Sequence, residues 1–146
     1  MNRTNRLSRA RFSRLLFGSL AALWLAACGG AEDTGGGGEQ ESIGLRGAMV
    51  FTLVPEAPLV QGENDLRLTL RDAASGASVE GASIEVIAIM PAMGHEAAGA
   101  PSIEEAGEGA YAVRDLALSM PGRWDVHVKV EHEDRIDEVH FVYDVL

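Results

Sequence analysis

Period-two alternation of apolar and polar residues dominates the chain after residue 44. Leu66, Leu68 and Leu70 alternate with polar neighbours in NDLRLTLRD. Trp124, Val126, Val128 and Val130 do so in RWDVHVKVE, and Val139, Phe141, Tyr143 and Val145 in EVHFVYDVL. Successive side chains of a strand point to opposite faces, so each stretch predicts a strand with one buried face. Residues 45–55 (LRGAMVFTLVP) and 109–118 (GAYAVRDLAL) predict two further strands, and 100–107 (APSIEEAG) a short one. The β-branched run in 82–90 (ASIEVIAIM) predicts a central strand buried on both faces. AASGAS, MPAMGHEAAGAP, GEG, SMPG and EHEDR supply the turns between them. If EHEDR closes a hairpin around a four-residue loop, residues whose numbers sum to 267 are opposed, and His127 faces His140.

About seven short strands separated by turn chemistry, with no helical period, predict an all-β fold: an antiparallel β-sandwich of immunoglobulin-like architecture. The Cys…Trp…Cys hallmark of true immunoglobulin domains is missing, so the likeness is one of architecture. Roughly 100 residues make one domain, expected over 44–146.

The residues before it read differently. Arg3, Arg6, Arg9, Arg11 and Arg14 precede an apolar run from 15 to 27, a basic and then a hydrophobic region of secretory type. That run is shorter than the roughly 20 apolar residues a spanning helix needs. It ends in LAAC, which resembles the bacterial lipoprotein signal whose cysteine becomes the lipidated first residue. Residues 1–27 are therefore expected to be a lipoprotein signal peptide and Cys28 the lipidation site. Cys28 is the only cysteine, so no disulfide within the chain is possible. Residues 28–43, rich in glycine, acid and small polar side chains, are expected to be a flexible tether reaching roughly 20 Å. The expected location is the bacterial cell envelope, lipid-anchored and facing the periplasm or exterior.

With the five signal arginines removed, seven of the 12 basic residues remain against 22 acidic ones, a formal charge of −15. Nucleic acid is excluded as a partner by that surplus, and cations are favoured over anionic substrates. Nucleophilic catalysis finds no support: the domain has no free thiol, no nucleophile elbow and no glycine-rich loop opening a helix. The neighbouring acids Glu104–Glu105 and Asp137–Glu138 point to opposite faces of their strands. No enzyme is expected.

The remaining chemistry lies in MPAMGH. Within six residues the chain places Met90, Met93, Gly94 and His95, using two of the four methionines that would remain after the signal. Thioether sulfur is a soft ligand that favours Cu(I), and imidazole suits both copper oxidation states. Met120 in SMPG adds a fourth candidate beside a second Pro-Gly turn, and loops from distant parts of a sandwich gather at its ends. Met90, Met93, His95 and Met120 are thus the candidate ligands of a copper ion. The competing reading is that these methionines only fill gaps in core and loop, and that the domain docks without metal on an envelope efflux or respiratory complex. His127 and His140 form a lesser candidate for a divalent metal, and His132 is expected at the surface.

MPAMGH, the later GEGAYAV and LSMPGRWDVHVKVE together resemble the YtkA-like family, related to FixH-like proteins. The likeness covers roughly residues 53–145. It rests on Met90, Pro91, Met93, Gly94, His95, Tyr111, Met120, Pro121, Gly122 and Trp124. The resemblance implies an exported or membrane-anchored immunoglobulin-like sandwich associated with copper handling or cytochrome oxidase assembly. Its implied partners are the membrane, through the lipid anchor, and a copper-handling or respiratory envelope protein. A lipid anchor in place of the transmembrane helix of FixH-like proteins is a departure from that pattern.

Overall fold

The structure, a computed structural model, describes residues 38–146. The expected signal peptide, Cys28 and most of the expected tether lie outside the described residues. Every regular element among the described residues is a β-strand. The strands form two antiparallel sheets, as the alternation predicts.

The first sheet runs in the order β1 (Gln40–Ile43), β2 (Met49–Pro55), β3 (Gly62–Asp72), β7 (Ala110–Leu118), β6 (Ser102–Gly107). The second runs β5 (His95–Glu96), β4 (Ser83–Met90), β8 (Gly122–His132), β9 (Arg135–Val145). The core lies between them. Phe51 and Leu53 of β2, Leu66, Leu68 and Leu70 of β3, and Trp124, Val126, Val128 and Val130 of β8 are all fully buried. Full burial of each such side chain stabilises the fold by about 1.5–3 kcal/mol. On β7 the inward phase shifts from Tyr111 and Val113 to Leu116 and Leu118. A bulge opposite Asn64 and Leu66 accounts for the shift, with Asp115 in the left-handed region at φ 61°.

Two strands depart from the expected pattern. β1 occupies the last four residues of the expected tether, pairing Gln40 with Leu53 and Ile43 with Val50, so the sheet begins before residue 44. Nothing in the composition of QESI marks it; the edge hydrogen bonds of β2 do. β4 is not buried on both faces: Val86, Ala88 and Met90 point into the core, while Ile87 is 39% exposed and Glu85 is also exposed. A two-layer sandwich covers only the inner face of each sheet, so the outer half of a β-branched run stays in contact with solvent.

Two side chains tie the layers together through polar contacts. Arg135 at the start of β9 donates to Asp72 at the end of β3, and this bond, with help from Ser75, holds the Asp72 carboxyl well below the usual carboxylate range. Asp137 of β9 is fully buried, and its two oxygens accept the backbone N–H groups of Arg46, Ala48, Met49 and Glu138. Burial alone pushes its carboxyl up, but the four donors together outweigh burial and hold it below its ordinary value. Gly44 is required here, because a Cβ would lie 2.3 Å from that carboxylate.

β8 and β9 are joined by a two-residue turn, with Glu133 at φ 55°. The pairing keeps the expected sum: His132 faces Arg135, and His127 faces His140. Trp124 faces inward with Val126 and Val128, in the expected phase. His132 is half-buried rather than a surface residue, because the strand runs right up to the turn.

Candidate functional site

Two groups of ligand-bearing side chains lie on the second sheet. The first is at one end of the sandwich. β4 ends at Met90, and the turn that follows is closed by Met93 N–H donating to the Met90 carbonyl at 3.2 Å. Gly94 sits at φ 62°, which a residue with a Cβ adopts only under strain. That geometry returns the chain so that His95 pairs directly with Met90.

Met90 is 5% exposed and belongs to the core, Met93 is 61% exposed, and His95 is exposed. Met120 is partly buried against the core, in the turn between β7 and β8. Its carbonyl accepts the indole N–H of the buried Trp124 at 2.9 Å, which fixes that turn to the core. Next to it, a Cβ on Gly122 would lie 3.3 Å from Met90 Cε. The end of the Met90 side chain therefore meets the Met120-Pro121-Gly122 turn. Met90, His95 and the turn bearing Met120 thus come together, and Met93 stands out in solvent beside them.

The second group lies on the outer face, where the β8–β9 ribbon is polar. Asp125 and His127 share one face of β8, two residues apart, and His140 is opposed to His127 on β9. Each of the three offers one ligand atom, and these atoms all lie within 4.8 Å of one another. The imidazole centroids are 3.8 Å apart with the rings tilted by 47°. Oδ1 of Asp125 is buried without a hydrogen-bond partner. A depression of about 130 Å³ beside the pair is lined by Glu85, Ile87, Lys129 and Glu138 as well as both histidines.

The sequence reading includes the histidine pair but misses Asp125. The signal for it is the D-x-H spacing on one strand, which sends both side chains to the same face. Tyr111, singled out by motif, has a structural place. Its hydroxyl donates to Val79 O and accepts from Ala82 N–H, fastening the loop before β4 to β7, and burial pushes its phenol up.

Residues 48–129, more than half of the chain, match the YtkA-like family. The chain belongs to that family. The matched segment of this YtkA-like protein includes Met90, Met93, His95, Met120, Asp125 and His127, whereas His140 lies beyond it. No curated protein matches the chain in sequence. Among solved structures the fold is similar to FetP of uropathogenic Escherichia coli strain F11, as isolated, at 10% identity and a TM-score of 0.54. That alignment covers 76% of this chain and 94% of FetP. A copper-bound variant of the same protein aligns at 9% identity and a TM-score of 0.52, covering 76% of this chain and 96% of the variant. At such identities the likeness is one of fold.

Proposed function

We propose that this YtkA-like protein is a non-catalytic copper-handling module of the bacterial envelope. It binds Cu(I) as cargo at the loop end of the sandwich and passes it to a copper-handling or respiratory envelope protein. Met90, Met93, His95 and Met120 are the proposed ligands, and Cys28 the lipidated anchor that keeps the domain beside the membrane, facing the periplasm or exterior.

The observation that carries the reading is the meeting of Met90 with the Met120 turn while His95 pairs with Met90. Met90 and His95 therefore lie beside the turn that carries Met120, and exposed Met93 is proposed to complete the donor set. Methionine suits such a site because its side chain adapts its shape and its sulfur binds a soft ion without first losing a proton. Exposed Met93 and His95 give a partner protein access, so transfer proceeds by exchange of one ligand at a time. The copper-bound variant of a fold neighbour, and that neighbour's recombinant expression in the periplasm, support the same reading.

Anaerobic Cu(I) titration against a competing chelator tests it. The wild-type protein should compete, Met93→Ala and His95→Ala should compete less well, and complete failure of the wild type to compete would overturn the proposal. Cys28→Ala should move the protein from the membrane to the soluble fraction, and continued acyl-chain incorporation in that variant would refute the anchor.

A further inference from the structure

The outer face of β8 and β9 carries a donor set chemically unlike the loop end. Nε2 of His127 lies 3.3 Å, and Nδ1 of His140 3.5 Å, from the same Asp125 oxygen, Oδ2. Both separations are longer than the about 2.7–2.9 Å of a charge-assisted N–H···O bond. They fit instead the edge of a coordination tetrahedron. An ion bonded at about 2.0–2.1 Å to nitrogen and oxygen holds its ligand atoms about 3.3–3.4 Å apart. Oδ1 of the same carboxylate is buried with no hydrogen-bond partner, a condition that native structures rarely leave unexplained.

We propose that Asp125, His127 and His140 form a second metal site, separate from the loop end, that takes a divalent late-transition ion, Cu²⁺ or Zn²⁺. Two imidazoles and one carboxylate suit these ions, whereas Ca²⁺ and Mg²⁺ require oxygen ligands and Cu(I) prefers sulfur. Among the two, the general affinity order puts Cu²⁺ first. Three protein ligands leave a coordination position open, and the exposure of His140 turns it toward solvent, so the ion is exchangeable.

The strands hold the three ligands in place. Val126, Val128, Val139 and Phe141 are buried on the reverse side of the same ribbon. A register slip of one residue would turn that apolar set outward, so the pairing of His127 with His140 is fixed by the core. The electrostatic setting is favourable. Glu85, Glu96, Glu138 and Asp144 share this face with Arg123 and Lys129, and Lys129 is held by Glu131 at 2.8 Å. The acidic surplus attracts cations.

Electron paramagnetic resonance of the metal-free full-length protein titrated with Cu²⁺ tests the site. The wild type should show coupling to two imidazole nitrogens, and only a large excess of Zn²⁺ should displace the signal. His127→Gln and His140→Gln should each lose one nitrogen and at least about 100-fold in affinity, since changes outside the ligand shell already cost about 10–100-fold. His140 is exposed, so His140→Gln should keep its thermal midpoint and remains informative even if His127→Gln folds poorly. Met93→Ala should leave the Cu²⁺ spectrum unchanged, and His140→Gln should leave Cu(I) affinity unchanged, so the two sites fail independently. A wild-type spectrum without imidazole coupling, or one identical in both histidine variants, would overturn the second site.

Discussion

Asp137 and Asp125 lie on neighbouring strands, one facing the interior from β9 and the other facing outward from β8, and their oxygens are treated in opposite ways. Asp137 is fully buried, and four backbone N–H groups converge on it. Asp125 keeps one oxygen without a partner and presents the other to two imidazoles. A buried carboxylate whose acceptors are all used holds a loop in place and has nothing left to offer a ligand. A half-buried one with unused acceptor capacity costs stability and is available for binding. Hydrogen-bond satisfaction, more than burial, separates the structural acid from the binding one.

The largest expected effect follows from that difference. Asp137→Ala leaves the N–H groups of Arg46, Ala48 and Met49 without their acceptor, at about 1–3 kcal/mol for each that stays buried, and should cost about 3–5 kcal/mol in all. Asp125→Ala removes one oxygen that has no partner and one that meets only two long imidazole contacts, and should stay within about 1 kcal/mol of the wild type. Denaturant unfolding of the two variants measures both, and equal costs would break the comparison.

Acid sharpens it. Because the folded-state carboxyl of Asp137 lies below its ordinary value, its contribution is complete above the unfolded value of about 3.9 and is lost as pH falls below it toward the folded value. The wild type should therefore lose stability below about pH 4. Asp137→Asn should start less stable at neutral pH and lose less across the same window.

Metal reverses the ranking of the two acids. At free Zn²⁺ near 100 times its dissociation constant, the wild type should gain about 2.7 kcal/mol, and Asp125→Ala should gain little. A gain of the same size in Asp125→Ala would detach the carboxylate from the proposed site.

The smallest expected effect concerns the loop end. Trp124→Phe keeps most of the buried ring but removes the hydrogen bond to the Met120 carbonyl, and should cost about 1 kcal/mol beyond the packing change. It should also weaken Cu(I) binding by loosening the Met120 turn. Unchanged Cu(I) affinity in a destabilised Trp124→Phe would show that this turn takes no part.

Where a structural fact follows from side-chain alternation alone, the sequence reading reaches it. The inward faces of β3, β8 and β9, the burial of Trp124 and the facing of His127 and His140 all follow from a period of two and one turn. The family motif around Met90 and Met120 was also legible. What escaped depended on neighbours in space. The exposure of Ile87 reflects a sheet covered on one side only. β1 exists because β2 offers an open edge. The convergence of His127 and His140 on one oxygen of Asp125 depends on rotamers across two strands, which no spacing rule supplies.

X-ray absorption at the copper edge of the Cu(I)-loaded protein tests the proposed function most directly, because it counts the donor atoms around the ion. The account predicts a first shell dominated by thioether sulfur with one imidazole nitrogen, losing sulfur in Met93→Ala and nitrogen in His95→Ala. A shell of nitrogen and oxygen alone, unchanged in both variants, would contradict it.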